Sequence, residues 1–275
     1  MRIARFAIGD DVRYGIVDGD DSSSSESRNG AGAGAAVLTV AEMSGHPFGP
    51  VAEVALTGSR YPVSDIRLLA PVLPSKVVAI GRNYLEHARE LGNEPPAEPL
   101  IFLKPSTAVI GPGDAIVRPD RLSQRVDFEG ELAIVFGRLC RDVPTSRAAE
   151  VIFGYTCAND VTARDLQASD GQWARAKGFD TFCPLGPWIE TDLDATDVRL
   201  TTTVNDEVKQ DSRTSLLIHG ITTLVSYVTA VMTMLPGDVL LTGTPAGIGP
   251  LVDGDSVSVS IEGIGTLTNR VVDSS

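Results

Sequence analysis

The sequence is poor in cysteine, and this shortage excludes two classes of protein. Its three cysteines, Cys140, Cys157 and Cys183, have no C-x-x-C spacing, so they indicate neither a disulfide framework nor a structural zinc site. The N-terminus also lacks an apolar run long enough for a signal peptide. Together these features predict a protein of the reducing cytoplasm.

Basic residues are scarce as well. Lysine and arginine number 23 against 36 aspartates and glutamates, which gives a formal net charge of -13 at pH 7. Because nucleic-acid affinity comes largely from basic side chains that neutralise phosphates, we expect no nucleic-acid partner. An anionic small molecule would need local compensation, either from a bound cation or from a few focused basic residues.

Long uncharged runs are missing except for residues 214–237, which contain no Asp, Glu, Lys or Arg over a length that could span a bilayer. Apolar residues in this run recur at helical spacing: Ile221, Leu224, Val225, Val228, Met232 and Leu235. The opposite face is polar: Thr222, Ser226, Thr229 and Thr233. This pattern predicts an amphipathic helix on a soluble core, ended by Pro236-Gly237, and no membrane partner.

The 275 residues are expected to form two domains. Residues 1–70 carry strand patterns and predict a small N-terminal domain, interrupted by a Ser/Gly-rich stretch, Asp20–Ala36, that predicts a flexible loop without assigned function. After a Pro-rich hinge, strand patterns with two or three helices between them dominate residues 71–275. This second domain is predicted to be mixed and β-rich, with a barrel-like architecture.

Two carboxylates share one face of a predicted strand. The segment VDFEGELAIVF, residues 126–136, alternates so that Glu129 and Glu131 point the same way, about 7 Å apart. Both can reach one ion between them, and their oxygen ligands suit magnesium, manganese or calcium. A solvated strand face is the alternative, which the apolar Ala133 and Val135 on the same face weaken.

A second group of polar residues follows an apolar strand in YTCANDVTARDLQ. Asp160 stands at the end of that strand, and the helix after it carries Arg164 and Gln167 one turn apart. Asp160 is either a third metal ligand or an N-cap of this helix. Lys177 lies among small and apolar residues in ARAKGFDTFCPLGP, where a surface lysine is the simplest interpretation.

A short helix is predicted in GRNYLEHARELGNEPP, with Asn83 as its N-cap, Glu86 three residues later and Gly92 at its end. His87 and Glu90 lie one turn apart on one face, where the carboxylate can orient the imidazole and favour its protonated form. This pair suits a general base that acts on water. A structural histidine beside solvated helix charges is the alternative.

The glycine-rich segment LTGTPAGIG near the C-terminus is the last candidate binding element. It has neither the lysine nor the glycine spacing of a phosphate-binding loop. We therefore expect a turn whose backbone amides and Thr244 hydroxyl can hold a carboxylate.

Taken in order, the motifs GRNYxxHxxE, DFEGELA, NDVTARDLQ, KGFDTFCPLGP and GDVLLTGTPAGIG resemble the fumarylacetoacetate hydrolase family. The resemblance covers Lys76 to about Asn269, and residues 1–70 look like the small N-terminal domain that many members carry. It implies an α+β, β-rich fold, a barrel-like roll of mixed sheets with a small N-terminal α/β domain. It also implies a homodimer and a site for Mg²⁺ or Mn²⁺, in which Ca²⁺ can substitute.

The same resemblance implies a role for each candidate residue, and no position departs from the family pattern. The implied metal ligands are Glu129, Glu131 and Asp160. The implied catalytic residues are the pair His87 and Glu90, on a lid that orders over substrate, and Lys177 beside the metal. The implied substrate-binding residues are Arg82, Tyr84, Arg164, Gln167 and Thr244.

These roles imply a divalent-metal-dependent enzyme of oxo-acid catabolism. The expected reaction is C–C bond hydrolysis of an acylpyruvate-type substrate, in which the metal acts as a Lewis acid, His87 and Glu90 deprotonate water and Lys177 supports the developing charge. The alternatives on the same site are a 2-hydroxyhepta-2,4-diene-1,7-dioate isomerase and an oxaloacetate decarboxylase or tautomerase. A noncatalytic, metal-stabilised scaffold is a third interpretation.

Overall fold

The computed structural model describes residues 1–19, 38–49 and 53–274. The predicted loop over Asp20–Ala36 lies outside the described residues. Strands dominate the described chain, and they pair in both parallel and antiparallel directions. The β-rich, mixed-sheet prediction is therefore confirmed.

The described strands are mostly short. In chain order they are β1 (Arg2–Ile8), β2 (Asp11–Asp18), β3 (Thr39–Ser44), β4 (Ala55–Pro62), β5 (Arg67–Leu69), β6 (Val77–Gly81), β7 (Leu100–Lys104), β8 (Val109–Ile110), β9 (Ala115–Arg118), β10 (Val126–Phe128), β11 (Gly130–Phe136), β12 (Ile152–Asn159), β13 (Thr162–Ala163), β14 (Cys183–Glu190), β15 (Arg199–Val204), β16 (Glu207–Arg213), β17 (Val239–Leu241), β18 (Gly249–Pro250), β19 (Ser256–Ile261) and β20 (Gly265–Asp273). The α-helices are α1 (Leu85–Glu90), α2 (Arg164–Asp170), α3 (Ala174–Lys177) and α4 (Ile221–Val231). Over the described ranges, no helix has the length and apolar character needed to cross a membrane.

Three sheets organise these strands in the described chain. The largest has twelve strands along the path β4-β3-β2-β1-β14-β12-β11-β17-β6-β7, with β5 paired to β1 and β8 to β14. A five-stranded sheet follows the order β16-β15-β19-β20-β9, and a three-stranded sheet the order β13-β10-β18. Strand β11 therefore lies inside the largest sheet, with β12 and β17 as its neighbours.

The first 70 residues contribute strands to the largest sheet. Strand β1 pairs antiparallel with β14, where Arg2 lies opposite Glu190. The described part of this region consists of β1 to β5 and a 3-10 helix, Val63–Asp65, so the helical component of the predicted N-terminal α/β domain is not confirmed. The domain boundary at residue 70 stays a prediction.

Strand β11, which carries Glu131, is buried on both faces. Leu132 packs with residues of β14 and β15 in one core cluster, and Ile134 packs with residues of α4 in a second. Ala133 and Val135, on the other face, belong to a third cluster. The two faces alternate as predicted, and the alternative of a solvated strand face is wrong.

Helix α4 covers one of these clusters. Three of the six apolar residues predicted from the spacing are buried in it, namely Leu224, Val225 and Val228, whereas Leu235 lies beyond the helix and is 37% exposed. The helix ends at Val231 rather than before Pro236, because Met234 exchanges two backbone hydrogen bonds of 3.0 Å with Cys140. Thr229, predicted on the polar face, is buried, and its hydroxyl accepts a backbone N–H at 3.1 Å.

A buried carboxylate joins the chain before β6 to the turn before β17. Asp238 accepts hydrogen bonds from Ser75 N at 3.0 Å, from Ser75 Oγ at 2.6 Å and from Leu235 N at 2.8 Å. It also pairs with the Lys76 ammonium. Burial alone would raise the pKa of Asp238, but Lys76 and these hydrogen bonds outweigh it and lower the pKa.

We expect Asp238→Asn to lower the free energy of unfolding at pH 7 by about 2 kcal/mol, which is roughly 4–8 °C in Tm at this chain length. Because the folded-state pKa is depressed, the carboxylate stabilises the fold above its unfolded pKa of about 4, and this stabilisation is lost as pH falls through the folded-state pKa. Thermal unfolding between pH 7 and pH 3 measures the difference between wild type and variant.

The matched control is Asp18→Asn, which removes the charge of an exposed aspartate paired with Arg60. Exposed ion pairs contribute little, so its free energy of unfolding should change by less than about 0.5 kcal/mol. Equal losses in both variants would contradict the role given to Asp238.

Candidate functional site

Three carboxylates from separate segments meet in one place. Glu129 lies in the link between β10 and β11, Glu131 lies on β11, and Asp160 directly follows β12. The antiparallel register of β11 and β12 brings the end of β12 beside the start of β11. One oxygen of each carboxylate lies within 4.8 Å of the other two, and the three residues are 4%, 1% and 1% exposed.

The predicted continuous strand over residues 126–136 is interrupted at Glu129. The Glu129 N–H donates to Asn159 Oδ1 at 2.9 Å, and the Glu129 carbonyl accepts from Asp160 N at 2.8 Å. Both main-chain groups are thus bound to the end of β12, and β10 and β11 belong to different sheets. The two glutamates do converge, but strand alternation alone is the wrong explanation.

Two basic side chains lie against these carboxylates. Lys177 donates to Glu129 Oε2 at 2.8 Å and to Asp160 Oδ2 at 2.6 Å, and Arg164 donates to Glu129 Oε1 at 2.5 Å. Burial alone would raise the pKa of Glu129, but the charges of Lys177 and Arg164 outweigh it and hold the pKa far below its usual range. Lys177 is 2% exposed, so its interpretation as a surface lysine is wrong.

A third cation at the site is Lys104, which no sequence motif marks as a site residue. Lys104, the last residue of β7, is 1% exposed and donates to Asp160 Oδ1 at 2.6 Å and to Val161 O at 3.2 Å. Asp160 is therefore bound on both oxygens and does not cap α2, which begins at Arg164. The sequence signal for Lys104 is its position at the end of the apolar strand LIFLK. A lysine there is expected to be buried, and a buried lysine needs a carboxylate partner.

Asp127 is a second buried charge outside the sequence-based candidates. It is fully buried and accepts from Arg164 Nε at 2.9 Å and from Arg125 Nε at 2.9 Å. Arg164 is thereby held between Asp127 and Glu129. Its pKa is raised, because the two carboxylates outweigh the opposing effect of burial.

Glu131 differs from the other two carboxylates because it has no cation of its own. Among the residues that the structure describes, it forms no ion pair and accepts a hydrogen bond at 2.6 Å from the Gly243 N–H. Burial and the nearby charges of Asp160 and Glu129 raise the pKa of Glu131 well above its ordinary value. Glu131 is therefore the one carboxylate of the three that has no direct ion pair among the described residues.

This donor set fits a hard divalent cation. Three buried carboxylate oxygens from separate residues are the kind of ligands that Mg²⁺ and Mn²⁺ take. The group contains no sulfur and no imidazole, which are the ligands that zinc and copper sites prefer. The unpaired Glu131 is the point at which a cation would most lower the electrostatic energy of the site.

The pair His87 and Glu90 reaches the same site from α1. His87 is 3% exposed, and its Nδ1 lies 3.3 Å from Glu90 Oε2. The other carboxylate oxygen, Glu90 Oε1, accepts from the Gly247 N–H at 3.1 Å. One carboxylate therefore orients the imidazole and also fastens the helix to the glycine-rich turn after β17.

The predicted N-cap of α1 is wrong. Asn83 Nδ2 donates to the carbonyls of His219 at 3.0 Å and Thr242 at 2.8 Å, and Asn83 Oδ1 accepts from His219 N at 2.9 Å. The helix begins at Leu85, after Tyr84, with no side-chain cap. Asn83 instead anchors the base of the helix to the segment before α4 and to the residue that follows β17.

The glycine-rich turn binds carboxylates of the protein itself. Gly243 and Gly247 donate their amides to the two glutamates described above. The Thr244 hydroxyl donates to Gly130 O at 2.8 Å and accepts from Gln210 Nε2 at 2.8 Å. The turn thus positions both a candidate metal ligand and the acidic member of the His/Glu pair.

A cavity of about 340 Å³ joins these groups. The predicted site residues that line it are Arg82, His87, Glu129, Glu131, Asp160, Arg164, Gln167, Lys177 and Thr244. Gln167 is held there by Arg164, which donates to its Oε1 at 2.7 Å. Tyr84 and Glu90 are not among the lining residues. The Tyr84 hydroxyl is buried and has no hydrogen-bond partner within the described part of the chain, and burial raises its pKa.

Comparison with known proteins places the chain in a family. The model of the fumarylacetoacetate (FAA) hydrolase C-terminal domain matches residues 76–272, and the model of the Rv2993c-like N-terminal domain matches residues 1–71. Protein Rv2993c of Mycobacterium tuberculosis is 55% identical over 275 residues, which cover 99% of this chain and 98% of that protein. The mitochondrial oxaloacetate tautomerase FAHD2A of Bos taurus is 41% identical over 224 residues, which cover 77% of this chain and 71% of that protein.

A solved structure agrees with these matches. The 5-carboxymethyl-2-hydroxymuconate delta-isomerase from Mycobacterium smegmatis has a TM-score of 0.87 and 53% sequence identity to this chain, and the match covers 100% of both. Members of the family are enzymes, and they usually bind a divalent metal. The chain belongs to the fumarylacetoacetate hydrolase family.

Proposed function

We propose that the chain is a Mg²⁺- or Mn²⁺-dependent enzyme that enolises small 2-oxo carboxylic acids, and that its net reaction is a tautomerisation or an isomerisation. The observation that carries this proposal is the buried His87, which lines the same cavity as the three carboxylates. Enolisation needs one base beside the substrate and positive charge near its oxygens. The proposal gives His87 the role of the base and gives the bound ion, beside Lys177 and Arg164, the role of the positive charge.

The names of two relatives support a proton-transfer reaction. One relative is named an oxaloacetate tautomerase and the other a 5-carboxymethyl-2-hydroxymuconate delta-isomerase. Tautomerases and double-bond isomerases both move a proton between carbon and a second site on the same substrate. A scaffold without catalysis is less well supported, because both of these relatives are named as enzymes.

Glu129, Glu131 and Asp160 would hold the ion, and the bound ion would supply a Lewis acid for the carboxylate and 2-oxo oxygens of the substrate. Lys177 keeps two of these ligands in place through its bonds to Glu129 and Asp160. Arg164 holds Gln167 on the cavity wall, where the amide can contact the substrate.

His87 is the residue that we propose moves the proton. In the tautomer in which Nδ1 donates to Glu90, Nε2 carries the lone pair that would accept a proton from the carbon next to the 2-oxo group. The Glu90 carboxylate then stabilises the imidazolium, because it lies next to the protonated ring. The burial of His87 excludes bulk water from this exchange.

Hydrolysis of a C–C bond, the reaction expected from the sequence, is the second candidate. The same pair would deprotonate a water molecule instead of a carbon, so hydrolysis uses the same residues. We rank it second because the names of the two relatives above describe proton transfers, whereas hydrolysis would also need a water molecule as a second reactant. Cytoplasmic location, the homodimer and the absence of nucleic-acid and membrane partners stay predictions.

Proton exchange detected by NMR tests the proposal directly. Purified protein with Mg²⁺ in deuterated buffer should exchange the C3 protons of 2-oxo acids faster than buffer with Mg²⁺ alone, and EDTA should abolish the difference. Parallel incubation with acylpyruvates, oxaloacetate and 2-hydroxydienoates identifies the net reaction. Cleavage of acylpyruvates without any catalysed C3 exchange would favour the hydrolase and sink the enolisation proposal.

We expect His87→Gln to slow Mg²⁺-dependent C3 exchange by about 10²–10⁴-fold, because the variant removes the base but keeps a polar side chain. Binding of Mn²⁺, measured by calorimetry, should stay within about threefold of wild type, since His87 is not a member of the carboxylate group. His46→Gln, at an exposed histidine that contacts Tyr14, is the matched control. If His87→Gln exchanged C3 protons at the wild-type rate, His87 would have no role in the proton transfer.

We expect Glu131→Gln to raise the Tm of the metal-free protein by at least about 2 °C, the shift that 1 kcal/mol gives at this size. In the metal-free protein Glu131 is either ionised, which buries an unpaired charge, or protonated, which costs free energy at pH 7. The neutral glutamine avoids both costs. The Tm increase that Mg²⁺ or Mn²⁺ gives to wild type should disappear in the variant.

Glu150→Gln, at an exposed glutamate paired with Arg147, is the control for this stability measurement. It should leave both the metal-free Tm and the metal-dependent increase close to those of wild type. A lower metal-free Tm in Glu131→Gln, or a metal-dependent increase that survives in it, would contradict the assignment.

A further inference from the structure

Gln210 is a buried polar residue on an otherwise exposed edge strand. It lies on β16, at the edge of the five-stranded sheet, where its neighbours in sequence are exposed but Gln210 is only 1% exposed. Gln210 pairs with Thr202, but the next residue of β15 pairs with Val208. Lys209 is therefore the extra residue of a β-bulge. Bulges re-aim side chains, and they are frequent at sheet edges and beside functional sites.

The amide of Gln210 bonds to two separate segments of the candidate site. Its Oε1 accepts from the N–H of Gly130, the residue between the two glutamates of the site, at 2.9 Å. Its Nε2 donates to Thr244 Oγ1 and to Pro245 O, each at 2.8 Å. One buried amide therefore joins the start of β11 to the glycine-rich turn after β17.

These bonds close into a ring. The Thr244 hydroxyl, which accepts from Gln210, donates to Gly130 O at 2.8 Å, so both main-chain groups of Gly130 are bound by side chains of the ring. The ring fits only around a glycine, because a Cβ at position 130 would come within 2.0 Å of Thr202 Oγ1. The link that carries the two glutamates is therefore held at its middle residue.

The glycine-rich turn connects this ring to the His87 helix. Gly247, in the same turn, donates its amide to Glu90 Oε1, and the other oxygen of Glu90 lies 3.3 Å from His87 Nδ1. Gly247 has a φ of 100°, and a Cβ there would come within 2.1 Å of Lys209 O. The bulged strand thus contacts the turn at two points, through the Gln210 amide and through the Lys209 backbone.

We propose that Gln210 is a positioning residue, which holds the two glutamates of the metal site in a fixed relation to the turn that supports His87 and Glu90. Gln210 is not among the residues that line the cavity, so it acts through the groups that it bonds rather than on a ligand. Enolisation needs the base and the ion at set places around one substrate, and small displacements of reacting groups cost much of the rate. The inference rests on the proposed function and adds a residue outside the cavity to it.

Gln210→Met keeps the approximate length of the side chain but removes its three hydrogen bonds. We expect it to weaken Mn²⁺ binding, measured by calorimetry on the metal-free full chain, by at least about tenfold, the lower end of the range for residues that orient metal ligands. At saturating Mn²⁺, kcat for C3 exchange of the 2-oxo acid that wild type exchanges fastest should fall by about 10- to 100-fold, while KM stays within about threefold.

Thr229→Val is the control for a loss of stability alone. The Thr229 hydroxyl is buried too, but its bonds, from Val143 N at 3.1 Å and to Ser226 O at 3.2 Å, reach no residue of the cavity. Both variants should lower the Tm, because each leaves buried polar groups without partners. Only Gln210→Met should change the Mn²⁺ affinity and kcat by more than about twofold.

Thr244→Val opens the same ring at another member, and it tests the inference even if Gln210→Met does not fold. It should also weaken Mn²⁺ binding. The double variant should bind Mn²⁺ about as weakly as the weaker of the two single variants, because either substitution opens the ring. Losses of affinity that add in full would contradict the ring.

The outcomes separate this inference from the proposed function. A lower Tm in Gln210→Met with the Mn²⁺ affinity and kcat of wild type would overturn the positioning role and leave the proposed function standing. Weaker Mn²⁺ binding with an unchanged kcat would overturn the connection to His87. If wild type exchanged no 2-oxo acid, the proposed function would fail, and the Mn²⁺ titrations would still decide whether Gln210 positions the glutamates. If wild type bound no Mn²⁺, both would be overturned.

Discussion

Three carboxylates held within 4.8 Å of one another inside the protein are the constraint on which the rest of the site depends. Like charges at this distance repel strongly where water is excluded, so the fold must surround them with cations and donors. Lys177 neutralises part of the charge of Glu129 and Asp160, and buried Lys104 and Arg164 complete the compensation. Only Glu131 has no direct ion pair among the described residues, and a divalent ion between the three carboxylates would supply one.

The surrounding fold serves this arrangement through two connections. The pairing of β11 with β12 brings the glutamates and Asp160 together, and side chains packed on both faces of β11 hold the strand in place. The turn after β17 donates one amide to Glu131 and another to Glu90. The candidate metal ligand and the His87 helix are therefore fastened to the same short segment, so the metal site and the proposed base are positioned together.

Local patterns were enough to predict part of this structure. Helical spacing identified the buried face of α4, strand alternation identified the two faces of β11, and the order of five motifs identified the family. The predictions were wrong where contacts between residues far apart in the sequence determine the local structure. The interruption at Glu129 depends on Asn159, and the early end of α4 depends on pairing with Cys140. Lys104 was missed because a lysine is normally exposed, and its burial requires a partner 56 positions away.

The central claim is that Glu129, Glu131 and Asp160 hold a divalent ion that anchors a 2-oxo acid. Anomalous diffraction from crystals grown with Mn²⁺ and oxalate, a stable analogue of the 2-oxo-carboxylate group, tests it most directly. The account predicts a manganese peak in contact with an oxygen of each of the three carboxylates, with oxalate bound to the same ion. Oxalate seated away from the ion, or no manganese peak among these carboxylates, would contradict it.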